Sequence, residues 1–193
     1  MADFSVVADV SNTLLRLLRH ELCPEPVQSP ESIRLAAPTD KTGDFQLGIF
    51  LYDLRELGEY RTSAPVLRGE TVRTPPPKTL TLSYMIFLNA KAQIASGAEA
   101  EQRILARAMQ VLADNPSVDA AQQPGAETSD GAAGITFQNL SFEDKSKIWA
   151  SLNTPYQVGI YFTVSPVFLS SRRSADFVRV TDIAVTAGQE RRR

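Results

Sequence analysis

The sequence predicts an α+β fold in a single domain: a mixed, largely antiparallel β-sheet flanked by helices. Three observations carry this. Apolar residues recur at helical spacing in three stretches and alternate at strand spacing in several others. The strands come in adjacent groups with helices between them. At 193 residues the chain is long enough to bury one substantial core without a staple.

The first helix is expected over 4–22. Val7, Val10, Leu14, Leu18 and Leu22 form its stripe, Asp3 favours its start, and Pro24 and Pro26 end it. Residues 32–36, between Pro30 and Pro38, read as a short strand. A turn-rich loop over 38–44 leads into a long strand over 45–54. There Phe45, Leu47, Ile49 and Leu51 take one face, and Phe50, Tyr52 and Leu54 the other. Two apolar faces put this strand in the centre of the sheet, covered on both sides. Residues 55–77 form a polar connection too long for a simple hairpin turn, and a connection of that length is usually functional or mobile.

A second long strand follows over 79–89, with Leu80, Leu82, Tyr84, Ile86 and Leu88 on one face. The helix at 98–113 buries Ile104, Leu105, Ala108, Met109, Val111 and Leu112, and Asn115-Pro116 stops it. Residues 119–134 are small, polar and rich in glycine, and read as a flexible insertion. A short strand over 135–140 precedes a third helix, which Ser141 and Asp144 cap and to which Phe142, Ile148, Trp149 and Leu152 give an apolar side. Strands over 156–164, running on to Phe168, and over 177–185 complete the domain at about residue 187. Residues 188–193 read as a frayed basic tail.

Composition excludes several function classes. A net charge of −2 gives no general attraction to nucleic acid or anionic membrane. Cys23 is the single cysteine and His20 the single histidine, so a cysteine zinc site and an intramolecular disulfide are out of reach. His20 and Cys23 could share a helical face, but a nucleophile pair needs a third, orienting group. Glu99/Glu101, Glu143/Asp144 and Asp176/Asp182 read as solvated charges rather than acid–base pairs or metal ligands. Arg191-Arg192-Arg193 lacks the interleaved aromatics of a nucleic-acid site. No catalytic residue, metal or cofactor is expected. The N-terminus carries no secretory signal and no apolar run reaches membrane-spanning length, so synthesis and assembly are expected in the cytoplasm. Trp149, the one tryptophan, reads as a core or interface anchor rather than a ligand platform.

Five strings carry a further resemblance: residues 2–15 (ADFSVVADVSNTLL), 48–53 (GIFLYD), 93–96 (QIAS), 139–156 (NLSFEDKSKIWASLNTPY) and 164–168 (VSPVF). Together they are similar to the cap, or tail-terminator, family of extracellular contractile injection systems, the phage-tail-like particles of antifeeding-prophage type. The resemblance implies a mixed sheet flanked by helices and a structural role. It implies a ring, expected to be a hexamer, that ends the inner tube and sheath distal to the baseplate, in a particle either released or retained. Some members carry a further C-terminal domain, whose function is not expected of a chain ending at Arg193. On this reading Arg55, Glu56, Glu59, Tyr60, Arg61, Arg68 and Arg73 are candidates for contact with a neighbouring subunit or the tube. Phe177, Arg179, Thr181 and Ile183 are candidates for pairing with sheath arms, and Trp149 for the ring interface. A baseplate adaptor or assembly chaperone of the same particle is the alternative, with a hydrolase a distant third.

Overall fold

The computed structural model describes residues 4–40, 42–58, 66–68, 72–92, 97–118, 132–171, 173 and 175–176. Helix α1 (Val6–Leu22) leads through a 3₁₀ turn to β1 (Ile33–Leu35) and β2 (Leu47–Glu56). Next come β3 (Val66–Arg68), β4 (Val72–Thr74), β5 (Lys78–Leu88), α2 (Ala98–Asp114) and β6 (Ser117–Val118). The remainder is β7 (Ala133–Phe137), α3 (Phe142–Ser151), β8 (Gly159–Leu169) and β9 (Ala175–Asp176).

Six strands form the main sheet in the order β1-β2-β5-β8-β7-β6. Only β1 runs parallel to its neighbour; the other pairings are antiparallel. The expected mixed α+β architecture is therefore present. The long central pair β2 and β5 is apolar on both faces because helices cover both. On the first face, α1 contributes Val10, Leu14, Leu18 and Leu22, and α2 contributes Ile104, Ala108, Val111 and Leu112. They meet Leu47, Ile49, Leu82, Tyr84, Ile86, Phe162 and Val164 of the sheet. On the second face, Phe45, Met85, Phe87 and Tyr161 meet Trp149 of α3. The even positions of β5 thus feed the larger cluster, and Met85 and Phe87 the smaller one.

A polar pair is buried in the larger cluster. Ser11 Oγ donates to the Val7 carbonyl at 3.0 Å and lies 2.8 Å from Tyr84 Oη. A serine has one proton to give, so Tyr84 is the donor of the second bond. Burial pushes the Tyr84 phenol up to about 12, against a smaller opposing effect of the Ser11 bond. Between the unfolded value near 10 and the folded value, the unfolded chain binds fewer protons, so stability falls as pH rises. A shift of that size corresponds to about 2–3 kcal/mol lost across the window from about pH 10 to 12. Denaturant titrations at pH 9 and pH 12 should show this loss, and Tyr84→Phe should remove most of it. An equal alkaline loss in the variant would contradict the assignment.

Several details depart from the sequence reading. Phe45 packs on the second face with Trp149 because β2 starts only at Leu47, so strand alternation does not extend back to it. Between Leu51 and Asp53 the register against β5 slips, Leu51 facing Tyr84 and Asp53 facing Ser83, which makes Tyr52 an extra residue. One inserted residue inverts the alternation downstream. Leu54 accordingly pairs with Leu82 rather than sharing the face of Tyr52, and it is exposed. Met109 is exposed as well, at the edge of the buried stripe of α2.

The 55–77 connection is partly built. Arg55 and Glu56 belong to β2, paired with Thr81 and Leu80, and β3 and β4 form a hairpin that continues through β9 into a separate three-stranded sheet. The short strand read at 135–140 lies at 133–137, and β6, which has only two residues, was not anticipated. Most of the glycine-rich insertion (119–131), the strand read at 177–185 and the 188–193 tail fall outside the described residues. Among the described residues no helix is long and apolar enough to cross a membrane.

Candidate functional site

The second face of the sheet carries one ten-residue helix where the first carries two helices of seventeen, and this difference exposes a site. Helix α3 begins at Ser141, whose Oγ accepts from the Asp144 amide at 3.1 Å and donates to the Asp144 carboxylate at 2.6 Å. The N-cap read from the sequence is thus made, with Asp144 and Glu143 at the positive end of the helix. The helix is pinned by Trp149. Its indole is 1% exposed, its Nε1 donates to Tyr161 Oη at 2.8 Å, and it meets Phe87 edge-on at 6.2 Å. Burial raises the Tyr161 phenol, opposed by the bond from Trp149, and Lys145 Nζ lies 5.7 Å from the centre of the Tyr161 ring.

One flank of α3 borders a cavity of about 530 Å³. Its apolar lining comes from Phe50, Leu140, Ile148 and Leu152, and its polar lining includes Tyr52, Asp53, Ser83, Gln138, Asp144 and Ser151. The bulge at Tyr52 is what places Tyr52 and Asp53, consecutive residues, on the same wall. Its polar groups find partners within the chain. Tyr52 Oη donates to Gln138 Oε1, Asp53 pairs with Arg55, and Ser151 Oγ donates to the Ile148 carbonyl at 2.7 Å. Burial also raises the Tyr52 phenol.

The other flank carries exposed apolar side chains. Phe142, at the start of α3, is 69% exposed and meets Tyr156 at 5.0 Å between ring centres. Tyr156 in turn meets Trp149 at 6.5 Å, whereas Val158, two residues on and 67% exposed, lies with Leu105 of α2. The sequence reading put Phe142 on the apolar side of α3 with Trp149; it is on that row and exposed. Phe142 lies two turns before Trp149 on the same row, but it rests against Tyr156 and stays largely exposed while Trp149 is buried. A seven-residue spacing from the tryptophan was a true signal of a shared row and a poor guide to burial.

The candidate residues from the sequence separate into groups. Trp149 is buried in the smaller cluster. Arg55 is exposed and ion-paired with Asp53, and Glu56 pairs with Lys78 at 3.4 Å. Arg68 and Arg73 fall in β3 and β4. Glu59, Tyr60, Arg61, Phe177, Arg179, Thr181 and Ile183 lie outside the described residues, as does Asp182.

The reactive candidates are spread apart. His20 is exposed and its Nδ1 meets the neighbouring Glu21 carboxylate, at 3.0 Å. Burial raises the Cys23 thiol, opposed by Arg19, so its environment favours the protonated form over a thiolate. Glu99 pairs with Arg103 and Glu143 with Lys147, each at 2.7 Å, while Arg107 reaches across to Glu21 of α1 at 3.3 Å. Among the described residues there is no group of three metal-ligating side chains. The geometry offers recognition surfaces on either side of α3.

Comparison with known proteins gives these surfaces a context. Residues 9–182 match the family model described as the Pvc16 N-terminal domain. Among solved structures the chain is similar to a sheath/tube terminator of an extracellular contractile injection system, PVC, in the extended state. That likeness has 19% identity and a TM-score of 0.71, over 95% of this chain and 64% of the other. The chain is also similar to the anti-feeding prophage cap, a tube-terminating cap, at 18% identity and a TM-score of 0.69, over 93% of this chain and 61% of the other. It therefore spans a little under two thirds of the length of these solved relatives. A search of curated proteins gives no match.

Proposed function

Because the chain belongs to the Pvc16 N-terminal domain family, we propose that it is the structural cap of a contractile injection particle. Copies of it form a ring, six in the simplest closure, at the end distal to the baseplate. The ring ends growth of the inner tube and the sheath. The observation that supports this most directly is the shared fold over 95% of the chain with a sheath/tube terminator. The second neighbour is a tube-terminating cap, which favours a cap over a baseplate adaptor or assembly chaperone.

The role is one of assembly rather than turnover. A lone exposed imidazole and a thiol raised by burial supply no nucleophile–base pair, in keeping with that role. Like subunits in a ring meet head to tail, and such contacts close at six copies when each step turns through about 60°. In this reading the 55–73 segment touches the neighbouring copy or the tube, and residues 177–185 pair with extended arms of the last sheath ring.

Electron microscopy of particles tests the proposal. Particles from a strain lacking the chain should have overlong or uncapped tails, and deletion of residues 174–193 alone should do the same. Length-controlled tails without the chain would overturn the cap reading. Length-controlled tails from the truncation alone would overturn only the sheath-arm contact.

A further inference from the structure

We infer that the β3–β4 hairpin is the positioning element for the C-terminal strand, so that the contacts proposed through 55–73 and through 177–185 form and fail as one unit. The observation is the second sheet. Its order is β3-β4-β9, with β4 in the middle and β9 at an edge. Val72 pairs with Arg68 on one side and with Asp176 on the other, and Arg73 pairs with Leu67 and with Ala175. Between the two halves of this sheet the chain passes through β5, α2, β6, β7, α3 and β8. The fold thus brings together two segments that the sequence places far apart.

The register sets a direction as well as a place. The chain leaves the main sheet at Leu169 and pairs with β4 from Ala175. Its partner then changes from Arg73 to Val72 as it advances. Thr74 is the end of β4 joined to β5 through Pro75-Pro76-Pro77, so at Asp176 the chain is heading along the hairpin, away from that junction. Start, direction and register are all taken from β4, and among the described residues β9 has no other strand neighbour. The support is mutual. A two-stranded hairpin is marginal in water by itself, and a third strand is what lets a small sheet persist. A partner that holds either segment therefore orders the other. A strand already paired along one edge also loses less freedom when a second strand joins the other edge.

The inference rests on the proposed function for what the C-terminal strand meets, but the coupling is read in the protein alone. Neighbouring residues of an antiparallel strand alternate in the side to which they turn their N–H, so one of the Ala175 and Asp176 amides bonds to β4 and should exchange slowly. Val72→Pro places a proline in the middle strand and removes a ladder bond. In the full chain it should raise hydrogen exchange at that amide at least tenfold. The converse variant leaves the hairpin sequence untouched: removal of residues 174–193 should raise exchange within Val66–Arg68 and Val72–Thr74 at least tenfold. Both should leave the emission of Trp149, buried against the main sheet, unchanged. Exchange in either segment that ignores the loss of the other overturns the coupling.

Particles then separate the coupling from the role. Val72→Pro should give the same overlong or uncapped tails as the truncation. Overlong tails with exchange at β9 unchanged would mean that the hairpin meets its partner directly, which overturns the inference. Raised exchange in both segments with length-controlled tails would keep the positioning and remove the sheath-arm contact from the proposed function.

Discussion

Trp149→Ala should destabilise the fold by about 3–5 kcal/mol, the usual cost of truncating a fully buried large aromatic. The indole is 1% exposed, and its removal strips Phe87 and Tyr156 of a ring neighbour and leaves Tyr161 Oη without the donor now 2.8 Å away. In a chain of this size each kcal/mol moves the melting temperature by about 2–4 °C, so a fall of roughly 6–20 °C is expected. Because the substitution also removes the only tryptophan, far-UV circular dichroism rather than fluorescence is the measurement. Trp149→Phe keeps most of the hydrocarbon and loses the hydrogen bond, so it should fall between wild type and Ala. A loss below about 1 kcal/mol for the Ala variant would show that α3 is held by something other than this ring.

Gly48→Ala is the second large effect. A Cβ at that position would lie 2.3 Å from Phe87 Cζ and 2.5 Å from Phe87 Cε1. Phe87 is the cross-strand partner of Gly48 and lies over it, so the missing side chain is what gives the ring its place. The ring has nowhere easy to go: it is 2% exposed, with Phe45 at 6.3 Å and Trp149 at 6.2 Å, both edge-on. Overpacking of this kind costs about 1–3 kcal/mol through off-rotamer side chains and backbone shifts. Gly134→Ala is the matched control. It too sits in a strand, but the nearest atom to its Cβ is the Ser165 carbonyl oxygen at 3.4 Å, so the variant should stay within about 0.5–1 kcal/mol of wild type. Chemical denaturation of the two side by side reads the difference, and equal stabilities would remove the steric argument.

Periodicity made the first face legible. The stripes of α1 and α2 and the alternation of β5 each pointed to the side chains that meet in the larger cluster, because long elements average over local exceptions. Met109 marks the limit, since helical phase does not say where a buried stripe ends. The bulge at Tyr52 left no trace in the sequence. It inserts one residue into an otherwise regular alternation, and only pairing with β5 reveals that Leu54 has changed sides. The hairpin of β3 and β4 was hidden for a different reason: strands of three residues carry too little pattern to stand out from a polar connection.

The site was legible in parts. The cap at Ser141 and the anchoring by Trp149 followed from local chemistry and residue type. The exposed rings and the cavity beside α3 did not, because both depend on where the second face runs out of covering structure. Phe50 and Tyr52 look like core residues in sequence and are half-buried cavity residues in the fold.

The bond from Trp149 to Tyr161 also has a mechanical meaning. Phe142 leans on Tyr156, Tyr156 on the indole, and the indole is tied through one hydroxyl to β8. A load applied to the exposed flank of α3 is thereby delivered through that indole, as well as through the backbone on either side of the helix, to the middle of the broadest sheet.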